Sequence, residues 1–246
     1  MLQLQHNLDN IGGISMRIFA VLHGETDLDT EGRIQGKSDY PLSETGKSQA
    51  NEIAKALMSK EITLIMSSPQ NRAMETAEII AAHLGIDEAK IAKGMKLHER
   101  DFGDYEGKLI SELDIFALCS WGGKALTPNG ETIRETAGRV IPFLNNMLKL
   151  VFKGKTVLLV VSGNVLMVLY WYFKGLPEAG KEYSINTDVS VIHEFETDEI
   201  PPDMLDSQTI MGKLISGNAQ GPGNADRVLS QPEIDTLIDE MAAEAV

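Results

Sequence analysis

A histidine follows directly after the first apolar run of the chain, in the segment Ile18-Phe19-Ala20-Val21-Leu22-His23-Gly24. An apolar run bounded by glycine is typical of a buried parallel strand, and open α/β sheets bind ligands at the carboxyl ends of such strands. His23 therefore has the position and the side chain of a nucleophile, and Gly24 would let a ligand approach the backbone. The alternative interpretation is a histidine at the rim of a pocket that catalyses nothing.

Alternating apolar segments predict the elements that would position His23. Strands are predicted at 18–22, 62–66, 157–161 and 190–195, and helices at 43–57, 72–84, 132–151 and 165–173. Strands that alternate with helices imply a mainly parallel sheet covered on both faces, so the predicted fold class is three-layer α/β. Residues 27–45 are polar and contain Gly32, Gly36 and Pro41, which indicates a long functional loop. The predicted core positions of the first three helices are Ala50, Ile53, Ala54 and Leu57, then Ala73, Thr76, Ala77 and Ile80, then Ile133, Val140, Phe143, Leu144, Met147 and Leu148.

Seven motifs between residues 16 and 195, taken together, resemble the histidine phosphatase superfamily, also called the phosphoglycerate-mutase-like family. Each is weak alone, but their order and spacing make the set specific. The resemblance implies a phosphoglycerate-mutase-like α/β/α fold over residues 16–196, with residues 1–15 as an N-terminal extension. The motifs are His23-Gly24-Glu25-Thr26, Gly32-Arg33-Ile34-Gln35-Gly36, Asp39-Tyr40-Pro41-Leu42-Ser43, Ser67 to Ala77, Leu97 to Gly107, Pro128 to Thr132, and Val160-Val161-Ser162-Gly163-Asn164.

The resemblance also implies a reaction. In that family a histidine attacks a phosphoryl group, two arginines and a second histidine hold the phosphate oxygens, and a carboxylate protonates the leaving group. Carried over, His23 is the nucleophile and Glu99 the general acid. The substrate-binding residues are Arg72 as the phosphate clamp, Arg33 and Gln35 at the mouth, and Gly24. Arginine suits this role because it makes paired hydrogen bonds to phosphate. No metal or cofactor is implied. The alternatives are an Arg72 that pairs with Glu75 or Glu78 on its own helix, and a solvated Glu99.

The sequence departs from the family pattern within the phosphate pocket itself. Leu22 stands where the family has arginine, and Asp29 stands where it usually has asparagine, so a carboxylate would repel the phosphate. Ser162 is followed by Gly163 instead of histidine, and the spacing to Gly175 is one residue short. His98 is a candidate replacement, but adjacent side chains on an extended loop diverge, and His83 is expected to be exposed.

Two functions from different classes therefore compete. The first is a phosphomonoesterase that works through phosphohistidine at His23 with weakened activity. The second, which the missing donors favour, is a pseudoenzyme in which the degenerate domain acts as an adaptor. A mutase is disfavoured, because it must hold and rebind a second phosphate.

Composition limits the partners. The formal net charge is −14, which argues against nucleic acids and anionic membranes. No apolar run approaches the roughly 20 residues of a membrane span, and residues 1–15 lack the pattern of a signal peptide. The single cysteine, Cys119, rules out an internal disulfide and fits a cytoplasmic protein. The expected small-molecule partner is a phosphate ester.

The C-terminal segment is acidic and has a pattern of its own. From Glu196 to Val246 there are eleven acidic and two basic residues. Residues 197–228 are predicted to be a flexible acidic linker, and residues 229–246 an amphipathic helix with a capping box at Ser230 and Glu233. The segment resembles the peptide of flagellar motor-switch proteins that docks onto chemotaxis response regulators. That regulator, or another groove-bearing protein, is the expected partner, and the alternative is a helix that packs on its own domain. The partner-binding residues would be Leu229, Glu233, Ile234, Asp235, Leu237 and Ile238.

Overall fold

The computed structural model describes residues 16–114, 118, 127–150, 155–175 and 185–197. Five strands form one sheet in the order β3-β2-β4-β1-β5. Strands β1, β2, β3 and β4 run parallel, and β5 is antiparallel to β1. The strands are β1 (Met16–Leu22), β2 (Leu64–Ser67), β3 (Ala92–Lys93), β4 (Thr156–Val161) and β5 (His193–Thr197). The mainly parallel sheet predicted from the alternating pattern is therefore confirmed.

Helices cover both faces of the sheet. They are α1 (Asp27–Thr30), α2 (Glu44–Leu57), α3 (Asn71–Leu84), α4 (Ile133–Leu150) and α5 (Gly163–Lys174). Alternate residues of β1 enter two separate cores, because side chains alternate between the faces of a strand. Ile18 packs in the core beneath α4 and α5, whereas Phe19 packs in the core beneath α2 and α3. The predicted core positions of α2, α3 and α4 are all buried.

Several element boundaries differ from the prediction. The segment 27–45 contains the short helix α1, because the Thr26 hydroxyl and the Asp29 carboxylate form a reciprocal capping box at its start. Strands β2 and β5 lie about two residues further along the chain than their apolar patterns indicated. The two-residue strand β3, which pairs with Met66 and Ser67 of β2, is too short to leave a periodic signal.

The carboxyl ends of β1, β2 and β4 meet at one edge of the sheet, since these strands are parallel neighbours. Two backbone bonds extend the ladder past the strand ends: His23 N–H donates to Val161 O at 3.1 Å, and Ser68 N–H donates to Val160 O at 2.9 Å. The sheet therefore brings His23, Ser68 and Ser162 side by side.

Within the described ranges, no helix combines the length and apolar composition that a membrane span requires. The predicted extension 1–15, Cys119, the helix 229–246 and its partner-binding residues lie outside the described residues, as does the predicted linker 197–228 apart from Thr197.

Candidate active site

The two ring nitrogens of His23 have partners that fix its tautomer. Nε2 lies 3.0 Å from Arg72 Nε, which can only donate, and Nδ1 lies 2.8 Å from Gly24 O, which can only accept. The neutral ring therefore carries its proton on Nδ1 and a lone pair on Nε2. Removal from water and the positive charge of Arg72 lower the pKa of His23 to about 4. At neutral pH the side chain is thus an uncharged nucleophile.

Arg72 is fully buried at the start of α3, and backbone carbonyls hold it in place. Its Nη1 donates to Ser38 O at 2.8 Å and its Nη2 donates to Gly36 O at 2.9 Å. The Gln35 amide, oriented so that its nitrogen donates to Thr26 Oγ1, places its oxygen 3.1 Å from Arg72 Nη1. Arg72 forms no ion pair with Glu75 or Glu78 of its own helix, which was the alternative interpretation. Its partners are His23 and the carbonyl groups of Gly36 and Ser38.

Glu106 organises the loop that supplies those carbonyls, although its sequence context gave no sign of this. Its carboxylate accepts from the backbone N–H groups of Gly36, Lys37 and Ser38 and from the Ser38 hydroxyl. Burial alone would raise the pKa of Glu106, but the hydrogen bonds from Ser38 and the backbone lower it. The carboxylate therefore stays charged and keeps the loop closed around Arg72.

Glu99 is 4% exposed and lines the same cavity as His23. Its Oε1 accepts from Arg100 N at 2.6 Å and its Oε2 accepts from Asn164 N at 3.1 Å, at the start of α5. Burial raises the pKa of Glu99, and these hydrogen bonds only partly offset the effect. A raised pKa favours the protonated form of the carboxyl group, which is the form that a general acid needs.

A partly buried charge network holds the backbone of Glu99. Arg139 forms two bonds with the Glu131 carboxylate, both at 2.9 Å, and its Nη2 donates to Glu99 O at 3.2 Å. Arg100 is 1% exposed and donates to Glu131 O and to Thr127 Oγ1. Glu131 was part of the Pro128 to Thr132 motif, but its contact with Arg139 and the contact of Arg139 with Glu99, 40 residues away, left no signal in the sequence.

The cavity above His23 has a volume of about 580 Å³. Arg33 and Gln35 lie in its wall, where the resemblance placed them. Arg33, however, donates to Glu31 Oε2 at 2.6 Å and to Gly107 O at 2.8 Å, so its charge is already paired. The remaining lining residues are Leu22, Glu25, Asp29, Ile34, Glu99, Phe102, Ile110, Gly163, Asn164, Met167, Ile185, Thr187 and Val189.

Gly24 is not among the residues that line the cavity. A Cβ at this position would lie 2.3 Å from Gly46 O, so glycine is required where the loop after β1 crosses the start of α2. Its N–H donates to Thr76 Oγ1 at 3.0 Å. In the structure the close contact at Gly24 is therefore with the backbone of α2, whereas a close contact with a ligand was expected from the sequence.

The positions that depart from the family pattern all lie at this site. Leu22 and Gly163 line the cavity and bring no side-chain donor to it. A Cβ on Gly163 would have Glu99 Oε2 as its nearest contact at 3.9 Å, so the position has room for a Cβ. The Ser162 hydroxyl is buried without a hydrogen-bond partner. Asp29 Oδ2 accepts from Thr26 N and Thr26 Oγ1 at 2.8 Å, so this carboxylate caps α1 at the cavity wall.

The other two histidines weighed as candidates lie elsewhere. His98 Nδ1 is 2.9 Å from Glu99 O, and His98 does not line the cavity. His83 is exposed on α3 and contacts Asn51 Oδ1. Among the residues that the structure describes, no group of three or more His, Cys, Asp or Glu side chains could hold a metal ion.

The chain matches the sequence model of one protein family, and it is similar to several named proteins in sequence or structure. The sequence model of the histidine phosphatase superfamily (branch 1) matches residues 18–201. A protein of Salmonella typhi described as a probable phosphoglycerate mutase GpmB is 36% identical over 168 residues, which is 66% of this chain and 76% of that one. A mycobacterial glucosyl-3-phosphoglycerate phosphatase in complex with VO3 superimposes with a TM-score of 0.58 at 26% identity, covering 67% and 84% of the two chains. A putative alpha-ribazole-5'-P phosphatase from Escherichia coli gives a TM-score of 0.57 at 25% identity, covering 66% and 81%.

Proposed function

The chain belongs to the histidine phosphatase superfamily (branch 1), and on this premise we propose that it hydrolyses phosphate monoesters slowly, through a phosphohistidine at His23. The observation that carries the proposal is the state of His23. Its ring is neutral, its lone pair is on Nε2, and it lines a cavity that it shares with the buried carboxyl group of Glu99.

In the first half of the reaction, His23 Nε2 attacks the phosphorus atom and the bond from phosphorus to the ester oxygen breaks. Glu99 gives its proton to the departing alkoxide, which leaves as the alcohol. The Arg72 N–H group that faces Nε2 in the free protein turns to a phosphoryl oxygen, where the negative charge of the transition state spreads. The hydrogen bond that Nδ1–H donates to Gly24 O stabilises the ring as positive charge develops on it.

In the second half, a water molecule attacks the phosphorus atom of the phosphohistidine. The ionised Glu99 takes a proton from that water as the bond from phosphorus to Nε2 breaks. Inorganic phosphate leaves, and His23 and Glu99 return to their starting protonation states. Each step needs only side chains that already line the cavity or lie directly beneath His23.

We propose that both steps are slow because the phosphate has few donors. Leu22 and Gly163 offer no side-chain hydrogen bond, and the loss of one such donor typically costs about 10²–10³ in rate. Asp29 adds a carboxylate at the cavity wall, which repels a phosphate dianion. Arg72 is then the principal cationic group for the phosphoryl oxygens.

The proposal is tested by hydrolysis of phenyl phosphate, whose poor leaving group needs the acid, as a function of pH. His23 is active only when neutral, so activity appears as the pH rises through about 4. Glu99 acts only when protonated, so activity falls again as the pH rises through its raised pKa. In Glu99→Gln the fall at high pH should disappear and the rate on phenyl phosphate should drop about 10²–10⁴-fold.

p-Nitrophenyl phosphate is the matched control substrate, because p-nitrophenolate leaves without a proton. Glu99→Gln should lose much less of its phosphorylation rate on this ester than on phenyl phosphate. Equal losses of the phosphorylation rate on both esters would show that Glu99 is not the general acid. The absence of turnover of either ester by the natural chain would overturn the proposed function.

A hydrolase fits the cavity better than a mutase. A phosphoglycerate mutase, which the Salmonella relative is described as, handles a substrate that carries a carboxylate beside the phosphate. In the described part of the cavity wall, Arg33 is the basic side chain available for such a group, and it already forms an ion pair with Glu31. We therefore propose transfer to water instead of transfer to a second hydroxyl.

As a second candidate function we propose that the C-terminal segment docks onto a partner protein, a chemotaxis response regulator being the leading choice. The support is the sequence alone: a capping box at Ser230 and Glu233 begins a segment in which Ile234, Leu237 and Ile238 share one helical face. Because Leu22 and Gly163 provide no hydrogen-bond donor for a phosphate, a binding role for the chain is considered beside slow catalysis.

Titration calorimetry of the full chain with a purified chemotaxis response regulator tests the docking. Replacing Ile234 and Leu237 together by glutamate should abolish binding, because the apolar face is lost. Thr236→Glu, on the opposite face, is the control and should retain binding. Equal affinity in all three proteins, or none in any, would argue against this partner, while phosphate-ester hydrolysis should be unchanged throughout.

A further inference from the structure

Apolar side chains form a large part of the cavity wall beside the reacting groups His23 and Glu99. The polar side chains in the wall, besides these two, are Glu25, Asp29, Arg33, Gln35, Asn164 and Thr187. The apolar ones are Leu22, Ile34, Phe102, Ile110, Met167, Ile185 and Val189. They come from the end of β1, from the loops around 34 and 102–110, from α5 and from the segment before β5, so the apolar surface surrounds the space on several sides.

The charges at the cavity wall are the wrong sign for an anionic leaving group. Glu25, Asp29 and Glu99 are acidic, and Arg33 is the basic residue in the described wall. The Arg33 guanidinium forms an ion pair with Glu31 at 2.6 Å. In the described wall, a second carboxylate or phosphate on the substrate would therefore meet three carboxyl side chains and one arginine that already has a carboxylate partner, so its loss of hydration would be poorly compensated.

The volume matches a leaving group of moderate size. A cavity of about 580 Å³ lies within the range of sites that enclose small organic ligands, roughly 300–1,000 Å³. A phosphate group fills only a small part of that space. The remainder is large enough for an alcohol of several carbon atoms, and its apolar surface would be buried against such an alcohol with a gain in affinity.

From this lining we infer that the substrates are phosphate monoesters of uncharged, apolar alcohols. The inference rests on the proposed function, since it places the leaving group of that reaction. The phosphate is attacked by His23 Nε2 and accepts a hydrogen bond from the Arg72 N–H that has turned away from the ring, and the alcohol extends along Met167 and Ile110. Met167, half-buried on the face of α5 that lines the cavity, is the specificity-determining residue that can be replaced without touching the catalytic groups.

The test measures how well phosphate monoesters inhibit hydrolysis of p-nitrophenyl phosphate by the full chain. Ethyl, butyl and hexyl phosphate share a primary alkyl oxygen and differ only in apolar length. The inhibition constant should fall about threefold to fourfold for each added methylene, as expected for burial of a CH₂ group. 3-Phosphoglycerate, which carries a carboxylate on a short chain, should inhibit more weakly than butyl phosphate.

Two variants of Met167 test whether the alcohol contacts this part of the cavity wall. Met167→Lys should weaken inhibition by hexyl phosphate at least about tenfold and strengthen inhibition by 3-phosphoglycerate, because a cation replaces apolar surface. Met167→Leu, which keeps that surface, should retain the order of the natural chain. Both variants keep His23, Arg72 and Glu99, so each inhibition constant is measured against the variant's own hydrolysis of p-nitrophenyl phosphate.

The outcomes separate the two proposals. Turnover of p-nitrophenyl phosphate together with inhibition that does not depend on chain length, or with 3-phosphoglycerate as the better inhibitor, would overturn the apolar leaving group and leave the hydrolase standing. Inhibition by hexyl phosphate that is unaffected by Met167→Lys would likewise overturn it. A chain that turns over no ester would overturn the hydrolase and this inference together.

Discussion

His23→Ala should lose hydrolysis of p-nitrophenyl phosphate by at least about 10³-fold, because a covalent mechanism has no route without its nucleophile. The substitution also leaves Arg72 Nε without its acceptor, which typically costs about 1–3 kcal/mol of stability. Turnover is measured as p-nitrophenol release, and the thermal midpoint of each protein is measured beside it.

Two further variants separate chemistry from folding. His23→Gln offers an amide oxygen that can reach the Arg72 Nε–H, so it should fold like the natural chain and remain inactive. His83→Ala removes an exposed histidine of α3 that contacts only Asn51, and it should keep full activity. Hydrolysis by a well-folded His23→Gln protein at the natural rate would show that another group attacks the phosphorus atom.

The combined variant Leu22→Arg and Gly163→His should gain activity, by about 10⁴-fold or more if the two donors act independently. The stem of an arginine at position 22 can cover the apolar wall now lined by Leu22, while its guanidinium reaches the phosphate. At Gly163 the space for a side chain is open, with Glu99 Oε2 as the nearest contact at 3.9 Å. Because groups that act as a unit need not be additive, each single variant is measured as well.

The matched control is Leu22→Met with Gly163→Ala, which fills similar space but adds no hydrogen-bond donor. This control should show no gain. Inhibition by vanadate, which imitates the transferring phosphoryl group, should strengthen in parallel with the rate in the donor-bearing variant. If that variant folds and binds vanadate no better than the natural chain, the weakness of the natural site has another cause.

The positions of the residues proposed to be catalytic could be predicted from the sequence because the chain places them at strand and helix ends. His23 follows an uninterrupted apolar run, and Arg72 opens a helix that follows another such run. Parallel neighbours bring such ends together, so the two side chains meet although they are 49 residues apart. Glu99 was assigned from the family resemblance, and the structure places it in the same cavity.

The supporting residues were not predictable, because their roles depend on contacts between distant loops. Glu106 holds the loop at Gly36 and Ser38, about 70 residues earlier in the chain, and nothing in its local sequence indicates that partner. Gly24 was assigned to a ligand, whereas its close contact is the backbone of Gly46. Asp29 was expected only to repel a phosphate, and the structure shows that it also caps α1.

The composition of the cavity wall could not be predicted from the sequence either. The apolar side chains that form the cavity wall come from β1, α5 and three connecting segments, and only the fold places them together. The sequence shows that Leu22 stands where the family has an arginine donor. That Arg33 of the same cavity forms an ion pair with Glu31 can be seen only in the structure.

The most direct test of the account is detection of the covalent intermediate. The full chain is mixed with an excess of p-nitrophenyl phosphate, quenched in base within the first turnover, and digested for mass spectrometry. We expect attack by water to be slower than the departure of p-nitrophenolate, so the phosphoenzyme should accumulate. The account predicts an acid-labile, base-stable phosphate on His23, present in the natural chain and absent from His23→Gln. Continued hydrolysis with no phosphate on His23, or with the phosphate on another residue, would contradict it.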